Sequence, residues 1–186
     1  IAALFAEQLA FAGMNYFFSP VGQGLAATGL LFIWAGIEEI AKYLAARKTA
    51  MRLPSFDEPM DAIIYMITAA LGFASLENVL FLLKIFSNEG MIVGFITGNL
   101  RFLGATLLHV VASSAVGASI AFSFFHKEKL HRNVLGGLFL AITLHTLFNF
   151  FIIKSGGVDI FRILAPLWGA IIVLIIIFEK IRGLKQ

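Results

Sequence analysis

The chain is expected to be all-α: a polytopic membrane protein, a bundle of about six transmembrane helices around a buried polar site. Three observations lead there. Mean hydropathy is +0.93 and only 13% of residues are charged, about half the charged share of a soluble domain, so lipid is the expected solvent. Apolar stretches close to the ~17–25 residues that cross a bilayer as a helix recur along the whole chain. Titratable residues fall inside those stretches, where a charge is costly and marks function by default.

The stretches run over 3–18, 25–46, 62–83, 100–125, 134–153 and 160–178. The first is interrupted by Glu7, Gln8 and Asn15 and reads as the tail of a longer span or a re-entrant piece. The second follows the run Gly22-Gln23-Gly24 and ends at Arg47 and Lys48. Between the third and fourth, the short glycine-containing stretch 88–99 reads as an interfacial loop. Lys and Arg divide unevenly between the two ends of such an alternating bundle. Arg47, Lys48, Arg52, Lys127, Lys129, Arg132, Lys180, Arg182 and Lys185 fall at one end, against Lys84, Arg101, Lys154 and Arg162 at the other. The positive-inside rule places the first group, and the C-terminus, in the cytoplasm. Basic residues at helix ends meet lipid headgroups and give no reason to expect nucleic acid. His126 and His131, in the loop HKEKLHR, read as solvated surface. The absence of cysteine excludes disulfides, thiolate metal sites and a cysteine nucleophile. The whole of 1–186 is expected to be one transmembrane domain, its N-terminus incomplete because position 1 is Ile.

Five titratable residues on four spans make up the polar site: Glu38, Glu39, Glu77, His109 and His145. Glu38 and Lys42 are four apart and share a helix face, so an ion pair between them is expected, while Glu39 lies about 100° around the helix. Lys42 is expected to snorkel toward the nearby cytoplasmic end. Glu77 and Asn78 could hydrogen-bond across the bundle. His109, Ser113 and Gly117 recur every four residues, giving one face an imidazole, a hydroxyl and a gap for close helix approach. Arg101 reads as an interfacial anchor or a site residue. His145 and Asn149 are also four apart, a spacing that suits a metal ligand or an oxyanion donor on one face. Each could be packing glue alone. Together, two imidazoles and three carboxylates are the parts of metal- or carboxylate-assisted hydrolysis.

Catalytic zinc takes three protein ligands, often two His and one Glu. Glu77, His109 and His145 fill that set, Glu38 or Glu39 is the general base, and Asn149 steadies the oxyanion. Without a metal, a Glu–His pair could position the water. Counted at 1.5 Å per residue from the outer ends of the spans, Glu77, His109 and His145 lie ~10–14 Å deep and Glu38 about 20 Å, a mismatch for one site. A proton- or cation-coupled transporter also uses buried Glu and His, although no internal repeat is visible. A scaffold keeping the cluster for helix association is the third possibility.

The motifs Glu38-Glu39-x-x-Lys42, Phe73-Ala-x-x-Glu77-Asn78, His109-x-x-x-Ser113 with Arg101 upstream, and His145-x-x-Phe148-Asn149 stand in order over about 31–151. Together they resemble the PrsW family of bacterial intramembrane proteases, part of a wider group with CAAX prenyl endopeptidases. That group usually shows EExxxR, FxxxH and HxxxN. Here Lys42 stands one position before the usual Arg, and Glu77 stands where the wider group has His. The resemblance implies a protease of the bacterial cytoplasmic membrane that makes the first cut in a membrane-anchored protein such as an anti-sigma factor. A prenyl-protein endopeptidase is the neighbouring alternative.

Overall fold

The structure, a computed structural model, describes residues 20–88, 91–155 and 160–184, with side chains over 28–83, 103–152 and 164–184. Five α-helices follow one another: α1 (Pro20–Lys48), α2 (Pro59–Asn88), α3 (Met91–Ala121), α4 (Leu130–Ser155) and α5 (Ile160–Arg182). Short 3₁₀ turns at Ala50–Arg52 and Lys127–Lys129 complete the described elements. These helices correspond to the second to sixth expected spans. The first, 3–18, lies outside the described residues, so a count of six is not established. Among the described residues, four segments are long and apolar enough to cross a membrane: Pro59–Leu83, Leu103–Ala121, Lys127–Ile152 and Leu164–Arg182.

Helix starts follow local chemistry. Pro59 opens α2, where its missing N–H would have had no partner in any case. Asp61 Oδ2 accepts the backbone N–H groups of Asp57 and Glu58 at 3.1 and 2.9 Å, closing the turn before the helix. The stretch 88–99 departs from expectation: from Met91 onward it is the first part of α3, not a loop. Each glycine costs a helix up to about 1 kcal/mol. Backbone groups left unbonded in lipid cost several, so the helix continues through them.

α3 is the hub. Its membrane-length segment is 67% buried within the bundle, against 17–28% for the other three, and every other helix touches it. Two glycines permit this closeness. A Cβ on Gly117 would lie 2.7 Å from Ile63 Cα of α2, and one on Gly137 would lie 2.7 Å from Ser119 Cβ of α3. At one end a core of Tyr43, Ala62, Met66, Val116, Val134 and Ile181 joins all five helices. Phe56 and Phe124, from the two loops there, meet edge to face at 5.4 Å. That end carries the basic group expected together, apart from Lys185, which lies outside the described residues. His126 and His131 are exposed, as expected for that loop. A second core, Leu108, Val111, Phe148, Leu167 and Leu174, joins α3, α4 and α5. Glu38, Glu39 and Lys42 of α1, His109 of α3 and His145 of α4 are buried on the inner faces of these helices.

Candidate active site

Adjacent glutamates on α1 point to different partners because they are about 100° apart around the helix. Glu39 is wholly buried. Its Oε1 accepts from Lys42 Nζ at 2.6 Å and lies 3.0 Å from His145 Nδ1, and its Oε2 accepts from Ser113 Oγ at 2.9 Å. Glu38 Oε1 accepts the indole N–H of Trp34 at 2.6 Å. Its Oε2 is buried without a hydrogen-bond partner and stands 3.5 Å from His145 Nε2.

Lys42 corrects two expectations. It pairs with Glu39 rather than Glu38, and it does not snorkel, being only 2% exposed. The physical reason is a better offer inside the bundle. Besides Glu39, its ammonium lies 2.7 Å from His109 Nδ1 and 4.8 Å from the centre of the Phe73 ring, an arrangement that stabilises a desolvated cation.

The two histidines take their tautomers from these partners. Lys42 can only donate, so His109 Nδ1 accepts and its Nε2–H donates to Glu77 Oε2 at 2.8 Å. Glu39 as a carboxylate can only accept, so His145 donates from Nδ1. The lone pair of His145 Nε2 then faces Glu38. The rings lie 5.0 Å apart, edge to face, with Phe73 against His109 at 5.4 Å.

Glu38, Glu39, His109 and His145 therefore meet directly, and Glu77 joins through His109. The one-site expectation for these five residues matches their geometry. For His109 the depth mismatch came from the drawn span end: α3 starts at Met91 rather than at residue 100, which puts His109 as far into α3 as Glu38 is into α1. Among the described residues, Glu38, His109 and His145 form a trio able to hold a metal, with ligand atoms all within 4.8 Å of one another. That differs from the expected Glu77, His109 and His145, because Glu77 is 22% exposed at its side chain and engages His109 Nε2 instead. Asn78 links α2 to α3 through Thr106 Oγ1 at 3.3 Å, the interhelical bond foreseen for it. Asn149 follows His145 by one turn and is half-buried. Arg101 lies on α3, its side chain outside those described. Trp34 was not anticipated, although its spacing of four before Glu38 was the available signal.

The chain matches the model of the PrsW family of intramembrane metalloproteases over residues 1–179. It belongs to that family. Among its relatives is a protein named Protease PrsW from Geobacillus kaustophilus, 37% identical over 65 residues, which are 35% of this chain and 26% of that protein. Protease PrsW of Clostridioides difficile is 30% identical over 122 residues, 64% of this chain and 50% of the relative. Protease PrsW of Oceanobacillus iheyensis is 27% identical over 135 residues, 70% and 56% respectively. The chain spans about half the length, or less, of these curated relatives. No solved structure matches it.

Proposed function

We propose that the protein is a membrane-embedded endopeptidase that hydrolyses a membrane-anchored protein substrate, with Glu38 and His145 activating the water. The observation that carries this is the free, buried Glu38 Oε2 set 3.5 Å from His145 Nε2. A water lodged there has a carboxylate to accept its proton and an imidazole lone pair to orient it. Glu38 takes the proton as the water oxygen bonds to the substrate carbonyl carbon. The Asn149 amide, one turn along α4, donates to the developing oxyanion. Glu38 then returns the proton to the leaving amine nitrogen as the C–N bond breaks. Glu39 holds the His145 ring by its Nδ1–H, the orienting role that a buried carboxylate commonly plays behind a functional histidine.

The residues also fit a divalent metal. Glu38, His109 and His145 would hold it, and zinc suits two imidazoles and a carboxylate. The orphaned Glu38 oxygen supplies a ligand atom without breaking a bond. Among the described residues, two buried carboxylates, Glu38 and Glu39, stand close to one ammonium, Lys42, and a dication would balance the second. His109 joins such a set by releasing one of its two present partners. When bound, the metal would make water more acidic and polarise the scissile carbonyl.

The resemblance in motif order suggests a membrane-anchored anti-sigma factor as substrate, cut first by this enzyme in the bacterial cytoplasmic membrane. The basic end of the bundle, with the C-terminus, is assigned to the cytoplasm. The test is cleavage of such a substrate by purified protein in liposomes. Glu38→Gln and His145→Ala should each lower the rate by about 10²–10⁴-fold, and wild-type turnover by both variants would remove the proposal. The bonded series Glu77–His109–Lys42–Glu39–His145 favours proton conduction as the second reading. Proton flux into liposomes with no cleavage of any substrate would favour that one instead.

A further inference from the structure

We propose that Trp34 is a positioning residue for Glu38, its indole N–H deciding which carboxylate oxygen is left to act on water; this rests on the hydrolytic role given to Glu38 above. Trp34 lies one turn before Glu38 on α1, so the two side chains stack along one face. The indole nitrogen only donates and the carboxylate only accepts. Their 2.6 Å contact is the one hydrogen bond described for the Glu38 side chain. Lys42, the nearest cation in sequence, is committed to Glu39 and His109.

A glutamate side chain has several rotamers and two equivalent oxygens. Binding Oε1 to an indole one turn away on the same helix removes that equivalence. What remains is Oε2, buried, unpartnered and aimed at His145 Nε2. Across the water site Glu39 does the same for His145, binding Nδ1 and leaving Nε2. Each reactive atom is thus singled out by a donor or acceptor on its opposite side, and both anchors come from α1.

The experiment combines kinetics with a spectroscopic signature. Trp34→Phe keeps an aromatic ring and loses the N–H; it should lower kcat roughly ten- to hundredfold, the scale of a misplaced catalytic group, with KM unchanged. Trp34→His restores a ring N–H and should recover part of that loss. The chain has two tryptophans, so Trp168→Phe leaves Trp34 as the sole indole. Trp168 is exposed on α5, away from the polar site. In that protein the N–H-sensitive indole band in ultraviolet resonance Raman spectra should move toward the free-indole position on Glu38→Ala. Wild-type kcat in Trp34→Phe beside an inactive Glu38→Gln overturns positioning alone. So does an indole band indifferent to Glu38→Ala, or a Trp34→His variant as slow as Trp34→Phe. Full activity in Glu38→Gln removes the role of Glu38 and the positioning of it together.

Discussion

Lys42 is the residue whose removal the site should tolerate least. Its ammonium is buried between Glu39 and His109, and deleting one partner of a buried ion pair leaves the other charge uncompensated. Lys42→Met should lower stability by about 3–5 kcal/mol, read as a fall in melting temperature in detergent. Adding Glu39→Gln to it should recover part of the loss, because the stranded charge goes too. An unchanged melting temperature in Lys42→Met would contradict the buried pairing. Glu39→Gln alone should slow cleavage roughly 10–100-fold, the usual effect of removing a group that orients a functional histidine. It should do so without the near-complete loss expected of Glu38→Gln, and parallel rate measurements on the two variants decide between these roles. The membership of the site was legible in the chain because charged residues in apolar runs stand out. The pairing was not. Positions three and four along a helix are both within reach of a lysine, and the choice of Glu39 over Glu38 depends on His109 of α3 and Phe73 of α2. No spacing within α1 contains that information.

Among the helices, α3 can be the hub only because small residues line it. Ala112, Ser113, Ser114, Ala115, Val116 and Ala118 are all buried beside Gly117. There is no room at Gly117 itself, where any side chain meets the backbone of Ala62 and Ile63. Gly117→Val should therefore cost about 1–3 kcal/mol through overpacking. At Gly72, on the same α2 helix, a methyl group would meet nothing within 4 Å. Gly72→Ala should raise helix stability by about 0.5–1 kcal/mol. Melting temperatures of the two variants should move in opposite directions, and a shared sign would undo the account of close packing. The gap at Gly117 was visible in the spacing His109, Ser113, Gly117. The helix over 91–99 was hidden for a related reason: glycine reads as a turn former in water, whereas a bilayer leaves its backbone no partner but the helix.

For the whole molecule, the described helices alternate in direction, so the loops after α1 and α3 lie at one end with the close of α5. This alternation follows from span lengths alone, and the proposed orientation from the uneven share of Lys and Arg. What sequence could not supply is the lateral order of the helices, which brings α1, α3 and α4 together around Glu39. The absence of native cysteine makes the orientation directly measurable, since each introduced thiol reports alone. Asp57 and Glu128 are exposed, one in each loop at the basic end, and Lys154 lies in the last turn at the opposite end of α4. A membrane-impermeant maleimide should label Asp57→Cys and Glu128→Cys only in inverted vesicles, and Lys154→Cys only in intact spheroplasts. Labelling Asp57→Cys and Glu128→Cys from opposite sides would break the alternation, and with it the shared core of Tyr43, Ala62 and Val116. Labelling both from outside would keep the bundle and invert it, placing the basic end against the convention set by lipid and translocation machinery. The end of α2 bearing Glu77, the most exposed member of the polar site, would then face the cytoplasm, and a substrate cut near that end would be cut from the inner side.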